Sequence, residues 1–291
     1  MKRLFLTLAL CCVSVMSYAE PLRYFGQTAQ SYQNIQPYGS HENGRYADVG
    51  DTRIYYEIYG SGAPVVVLHG GLVGSIGEMG QLIERLSQDH QVIAVATRGH
   101  GKSGIGTAVP SYERKAQDLA AVLAQVTQEP ITLVGFSDGA YTGYYFAAQY
   151  PDKIHRLIAI GAGEWQKNFR HFSGSFAEFA QLDPQYWQQQ LTIRPEPERI
   201  NDWLADNFAY YNQLEIGKSL FRQVTTPTLL IAGEKDQNAP LDTVIAAYKA
   251  LPQAQLAIIP NAPHDVLHTN FPIVWQNIRT FLTQLPMEKS K

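Results

Sequence analysis

Cysteine is almost absent from this 291-residue sequence. The only two cysteines, Cys11 and Cys12, both stand within the first twenty residues. If the first 19 residues are a signal peptide that is removed on export, the remaining chain carries no thiol. A cysteine nucleophile, a thiolate metal site and a disulfide scaffold are then all excluded, so any chemistry must come from other side chains.

Runs of basic residues are also missing. The chain has 23 Lys and Arg against 26 Asp and Glu, a formal net charge of −3, and no basic cluster. We therefore expect neither nucleic acid nor an anionic membrane surface as a partner. We expect a small-molecule substrate, and the sequence indicates no particular oligomeric state.

Only one long apolar run occurs, from Leu4 to Met16. Lys2 and Arg3 precede it, and 17–19 (Ser-Tyr-Ala) supply small residues at positions −3 and −1 of a cleavage site. This pattern predicts a signal peptide over 1–19, cleaved after Ala19, and hence a periplasmic or secreted protein. An N-terminal anchor helix is the alternative, but the run is short for a membrane span, so we expect no stable membrane insertion after cleavage.

The rest of the chain divides by pattern. Residues 20–45 lack periodicity and predict an extended arm. From Tyr46 the sequence predicts a two-stranded hairpin with its turn near Gly50 and Asp51. Six apolar or β-branched runs follow within 46–162 and 222–288, and they alternate with amphipathic stretches such as the one behind Ser111. Residues 163–221 contain no strand-like run and are rich in aromatic side chains, which predicts a helical cap inserted after the sixth strand. The fold class is therefore α/β, with a mostly parallel central sheet covered by helices on both faces.

The stretch "LVGFSDGA" ends one buried-type strand in a G-x-S-x-G sequence around Ser137. Gly135 and Gly139 would let the chain turn sharply from strand to helix and leave the serine hydroxyl exposed. Such a serine is a nucleophile only beside a base that is itself oriented by a carboxylate. Ser137 is therefore the predicted nucleophile.

The loops after two later strands supply the predicted acid and base. Asp236 follows "LLIAG" and His264 follows "LAIIP", both at strand ends where ligands of parallel sheets bind. Glu234 is the alternative acid. His268 and Asp265 are the alternatives to His264, but both lie further into the helix that should follow.

The strand "PVVVLHG" predicts the oxyanion hole. After His69 and Gly70, the backbone N–H of Gly71 or Leu72 could converge with that of Asp138 on a developing negative oxygen. We interpret His69, like His100, as a histidine that ties loops together. "GHGKSG" is not a phosphate-binding loop, because Ala96 stands where that motif needs its first glycine.

These motifs, "LHGG", "TRGHGKSG", "GFSDGA", "GEKDQNAP" and "NAPHDVLH", resemble those of α/β-hydrolase-fold serine hydrolases in order and spacing. The resemblance runs from about Tyr46 to the C-terminus and implies a triad of Ser137, Asp236 and His264, with no cofactor. Thr97 departs from the aspartate that the family commonly has there, at a mainly structural position. The elbow is similar to that of the valacyclovir hydrolase branch, which implies a second role for Asp138: its carboxylate would receive the ammonium of an amino-acid ester. A helix-capping carboxylate is the alternative.

The sequence thus predicts a secreted serine hydrolase of small carboxylic esters, with an aromatic pocket that includes Trp165. An aminopeptidase resembling proline iminopeptidases, a lactonase or a carbon–carbon bond hydrolase could use the same triad. Two alternatives come from other classes. One is a zinc hydrolase with His264 and His268 as ligands, which resembles H-E-x-x-H but lacks a third ligand. The other is a non-catalytic binding module.

Overall fold

The computed structural model describes residues 21–284, so the predicted signal peptide lies outside the described residues. Eight strands form one sheet in the order β1-β2-β4-β3-β5-β6-β7-β8. The first two join as an antiparallel hairpin, β2 pairs antiparallel with β4, and all other neighbours are parallel. The strands are β1 Arg45–Asp48, β2 Arg53–Tyr59, β3 Ala63–Leu68, β4 His90–Val95, β5 Ile131–Phe136, β6 Ile154–Ile160, β7 Thr228–Gly233 and β8 Ala254–Ile259.

Ten α-helices connect and cover these strands. They are α1 Gly80–Leu86, α2 Tyr112–Val126, α3 Asp138–Gln149, α4 Phe176–Ala180, α5 Pro184–Ile193, α6 Ile200–Gln213, α7 Lys218–Phe221, α8 Leu241–Ala250, α9 Val266–Thr269 and α10 Phe271–Thr283. Within residues 21–284 no helix is long and apolar enough to cross a membrane.

The central strands are continuous apolar runs because helices cover both faces of the sheet. Helices α2, α3 and α8 pack on one face, and α1 and α10 pack on the other. Strands β5 and β7 are buried along their whole length. This arrangement confirms the predicted α/β class. Strand β8 is less buried than these central strands, because it is the edge strand and leaves Ile258 exposed.

Residues 163–221, called the cap from here on, lie between β6 and β7. They contain helices α4 to α7, and one short bridge joins Trp165 to Ile216. The large side chains of α5 and α6 form a cluster of their own, which also packs on Phe25, Leu72 and Ile105 outside the cap. The cap aromatics therefore pack on one another and on the loops at the carboxyl ends of the strands.

Candidate active site

Ser137 stands at the turn between β5 and α3. Its backbone has φ 51° and ψ −115°, a left-handed conformation that a non-glycine residue adopts only when its surroundings impose it. The neighbouring glycines explain how the turn is made. A Cβ on Gly139 would overlap the carbonyl of Leu68, and one on Gly135 would overlap the backbone of Gly139. The packed turn thus holds the serine hydroxyl above the sheet.

The structure brings the three predicted triad residues together. His264 Nε2 lies 3.1 Å from Ser137 Oγ, and His264 Nδ1 lies 2.7 Å from Asp236 Oδ2. The other oxygen of Asp236 accepts the backbone N–H groups of Asn238 and Ala239, which fixes the buried carboxylate. Because a carboxylate only accepts, His264 donates from Nδ1 and leaves Nε2 free to take the serine proton. This is the arrangement that serine activation needs.

The alternative acid and base residues have other partners. Glu234 accepts the backbone N–H of Asn261. Asp265 bonds His268 Nδ1, while His268 Nε2 lies 2.9 Å from the carbonyl of Glu78. Both partners of His268 are acceptors, so the ring needs both protons and carries a positive charge. Burial opposes that charge, but Asp265 and Glu78 outweigh it and raise the pKa of His268.

The zinc alternative conflicts with this geometry. His264 precedes the four-residue helix α9, so it does not share a helical face with His268. The ring nitrogens of His264 are engaged by Asp236 and Ser137, and those of His268 by Asp265 and a carbonyl. Residues 21–284 contain no cluster of three or more His, Cys, Asp or Glu that could hold a metal ion.

His69 and His100 are buried loop-bracing residues. His69 Nδ1 donates to the carbonyl of Gly70, and its Nε2 accepts the N–H of Thr97, so the ring is neutral. Burial lowers the pKa of His69 to about 4. His100 Nδ1 contacts the Thr97 hydroxyl and the carbonyl of Arg98. Neither histidine contacts Ser137.

The predicted oxyanion donors lie beside the elbow. Within residues 21–284 the N–H groups of Gly71, Leu72 and Asp138 donate to no protein acceptor. Leu72 has φ 49°, which marks a constrained loop. The N–H of Gly70 is different, because it donates to Glu78 Oε2 at 2.6 Å. The three predicted donors are therefore free of protein acceptors, whereas the N–H of Gly70 fixes the loop.

Glu78 is a carboxyl group in the cavity wall that sequence reasoning missed. It lies in the 3₁₀ helix Ile76–Met79, and it lines the cavity together with His264 and His268. Burial raises the pKa of Glu78 to about 7, although His268 and the Gly70 N–H both oppose the shift. The cavity wall therefore contains a carboxyl group with a pKa close to neutral pH.

The side chain of Asp138 has a different role from the one predicted. Its Oδ1 accepts the hydroxyl of Tyr112 at 2.9 Å, and its Oδ2 accepts Lys115 Nζ at 3.0 Å and the hydroxyl of Tyr211. Lys115 supplies the ammonium that a substrate was expected to bring, so the carboxylate has no unpaired charge to offer. Asp138 also stands in the first turn of α3, where the helix dipole favours a negative charge, as the alternative interpretation of this carboxylate expected. The partners of the carboxylate differ from the substrate ammonium that the resemblance implied.

A cavity of about 630 Å³ opens above Ser137. Its wall is mainly apolar, and the cap contributes most of the phenylalanine, tryptophan and tyrosine side chains in it. Trp165, the predicted binding residue, lies in this wall and stacks on both Phe172 and Tyr211, whose rings also contact each other. The volume falls within the range typical of small-ligand sites.

Comparison with known proteins agrees with this geometry. A family model described as alpha/beta hydrolase fold matches residues 64–192. The chain is 26% identical to the putative carbamate hydrolase RutD of Azorhizobium caulinodans over 246 residues, which cover 75% of this chain and 91% of the relative. It is 26% identical to the serine hydrolase BPHL of Homo sapiens over 239 residues, which cover 77% of this chain and 80% of the relative. The enol-lactonase of Burkholderia xenovorans superposes with a TM-score of 0.67 at 20% identity, covering 82% of this chain and all of that one.

The chain is a hydrolase of the α/β-hydrolase fold.

The N-terminal arm of this hydrolase, residues 21–44, forms part of the cavity wall. Phe25 and Gly26 line the cavity, and Tyr24 stacks on His268 with 4.5 Å between ring centroids. Arg23 pairs with Asp183 of the cap at 2.9 Å. The arm therefore bridges the cap and the core beside the active site. Its sequence has no periodicity, and no signal in it predicted this position.

Proposed function

We propose that this hydrolase is a serine esterase that cleaves small carboxylic esters through an acyl-enzyme. The observation that carries the proposal is the continuous chain of hydrogen bonds from Asp236 through His264 to Ser137, at the floor of an apolar cavity. A complete chain of this kind argues against a non-catalytic binding module, which has no need of an oriented base.

The proposed mechanism follows from the roles of these atoms. Ser137 Oγ attacks the ester carbonyl carbon while its proton passes to His264 Nε2. The carbonyl oxygen becomes an anion and is stabilised by the N–H groups of Asp138 and of Gly71 or Leu72. The ester C–O bond then breaks, and the alcohol leaves with the proton from His264. Water repeats the sequence on the acyl-enzyme, releasing the acid and restoring Ser137.

The wall beside the nucleophile does not favour a cationic acyl group. Because Lys115 neutralises Asp138, the acidic residue next to the nucleophile offers no net charge to a cationic substrate. Similar proteins carry names such as enol-lactonase and putative carbamate hydrolase, and these activities also proceed by attack on an acyl carbon. A lactone is therefore the first alternative substrate to include in a test.

The test compares the wild-type protein with Ser137→Ala and with Ser61→Ala, a control at an exposed serine between β2 and β3. The substrates are p-nitrophenyl acetate, p-nitrophenyl hexanoate, a γ-lactone and an amino-acid p-nitroanilide. We expect ester turnover in the wild type and in Ser61→Ala, and a loss of at least about 10³-fold in Ser137→Ala. Turnover of the lactone or the anilide without that of either ester would refute the esterase assignment. Full activity of Ser137→Ala would refute the mechanism.

We also propose export with cleavage after Ala19. In support, the first arm residue with a recorded cap contact is Arg23, so this cleavage leaves the contacts between arm and cap intact. N-terminal sequencing of the protein recovered from the periplasm or the medium of an expressing bacterium should begin at Glu20. A mature chain that retains Met1 would refute export by cleavage.

A further inference from the structure

A buried cluster surrounds Asp138, the residue after the nucleophile. Asp138 heads α3, Tyr112 and Lys115 come from α2, and Tyr211 comes from the cap helix α6. Each of these residues is at most 8% exposed. The three donors occupy both carboxylate oxygens of Asp138. We call these four residues the Asp138 network.

The Asp138 network lies directly against the proposed oxyanion hole. The backbone N–H of Asp138 is one donor of this hole, and the backbone N–H of Gly71 is a candidate for the second donor. A Cβ on Gly71 would overlap the carboxylate of Asp138, so the two donor residues are in contact through that carboxylate. A shift of the Asp138 side chain would therefore move both oxyanion donors.

Lys115 makes the network stable as a charged unit. A buried carboxylate without a counter-charge is strongly unfavourable, and here the ammonium of Lys115 lies 3.0 Å away. Burial raises the pKa of Asp138, but Lys115 and the two tyrosine hydroxyls outweigh it and leave that pKa below its usual value. Within the described residues the Lys115 ammonium has no other hydrogen-bond partner, and it also lies over the ring of Tyr112, 5.3 Å from the ring centroid.

Tyr211 connects the network to the cap. Its hydroxyl donates to Asp138, while its ring lines the cavity and stacks on Trp165. Tyr211 is thus a cap residue that contacts both the substrate space and the carboxylate behind the oxyanion donor. A change in the position of α6 is transmitted to the N–H of Asp138 by one hydrogen bond.

We propose that Lys115, Tyr211 and the Asp138 carboxylate are positioning residues that set the oxyanion hole and couple it to the cap. This inference rests on the proposed esterase function. It assigns the carboxylate to transition-state geometry and not to recognition of a substrate ammonium. Because the displaced donor acts on the transition state more than on the bound ester, the loss should appear in kcat and not in KM.

The first experiment compares Asp138→Asn and Lys115→Met with the double variant. Each single change leaves one buried group without its partner, and we expect kcat to fall about 10- to 100-fold with little change in KM. Lys115→Met/Asp138→Asn removes both charges, and we expect kcat to recover to within a few-fold of the wild type. The loss in Asp138→Asn should be equal for p-nitrophenyl acetate and for an amino-acid ester. A loss confined to the amino-acid ester, or no recovery in a folded double variant, would overturn the proposal.

The second experiment tests the link to the cap. Tyr211→Phe removes only the hydroxyl that bonds Asp138, and Tyr210→Phe is the matched control. The Tyr210 hydroxyl accepts the N–H of Tyr112 and does not contact Asp138. We expect kcat, and the affinity for a boronic acid that mimics the oxyanion, to fall about tenfold in Tyr211→Phe, with both unchanged in Tyr210→Phe. Equal values in the two variants would overturn the coupling.

The controls separate this proposal from the function on which it rests. If the wild type neither hydrolyses esters nor binds the boronic acid, the esterase assignment fails. If the wild type is active and folded Lys115→Met and Tyr211→Phe keep its kcat, the positioning role fails instead. If Lys115→Met does not fold, the double variant and Tyr211→Phe decide the outcome.

Discussion

As pH rises, ionisation of the buried Glu78 carboxyl should lower the free energy of unfolding of the wild type. Glu78→Gln cannot ionise and should not show this loss. The pKa of this carboxyl is raised to about 7 from an ordinary value of 4.5. A difference of this size corresponds to about 3 kcal/mol, an upper limit because the side chain keeps some contact with the cavity. Because the pKa of Glu78 is higher in the native state than in the unfolded state, stability falls as pH rises. Below pH 4.5 the carboxyl is protonated in both states, and above pH 7 the native protein carries the full penalty of a buried charge.

The assay is urea unfolding of wild type and Glu78→Gln at pH 4, 6 and 8. The glutamine oxygen can still accept the N–H of Gly70, so the loop contact is retained. We expect the two proteins to differ little at pH 4 and the variant to be more stable at pH 8, by up to about 3 kcal/mol. Glu129→Gln, at an exposed glutamate beyond α2, controls for the loss of one surface charge. A difference between Glu78→Gln and wild type that is the same at pH 4 and pH 8 would refute the reasoning.

Three further predictions concern the triad, the elbow and the arm. Asp236→Asn should lower kcat by about 10⁴-fold with KM nearly unchanged, because the base loses its orienting carboxylate, and steady-state kinetics checks this. Gly139→Ala should destabilise the fold by about 3 kcal/mol, since its Cβ overlaps the carbonyl of Leu68; a melting temperature equal to that of the wild type would contradict it. Arg23→Ala breaks the ion pair with Asp183. It should raise KM for p-nitrophenyl hexanoate more than for the acetate, with kcat retained; equal KM ratios would exclude the arm from the acyl site.

The sheet and the elbow were predictable because their signals are local. Buried parallel strands are continuous apolar runs, and the elbow needs glycine at Gly135 and Gly139 whatever the rest of the chain does. The order of the loops after the strands then sufficed to nominate Asp236 and His264. The partial exposure of β8 was not predictable, because an apolar run does not reveal that a strand lies at the sheet edge.

The Asp138 network was not predictable for the opposite reason. Lys115 lies three residues after Tyr112 on the inner face of α2, where the apolar pattern gives no indication that a lysine will be buried. Its partner Asp138 follows 23 residues later, and Tyr211 lies 73 residues beyond Asp138. Only the packing of the cap on the core brings these charges and hydroxyls together. The same limit applies to the arm, whose contact with His268 spans almost the whole chain.

The most direct test of the central claim is covalent labelling with a fluorophosphonate, which phosphonylates an activated serine. Intact-mass analysis of the wild type should give one adduct per chain, and peptide mapping should place it on Ser137, with or without a chelator present. Ser137→Ala should remain unlabelled. An adduct on another residue, or an active wild-type protein that takes up no probe, would contradict the account.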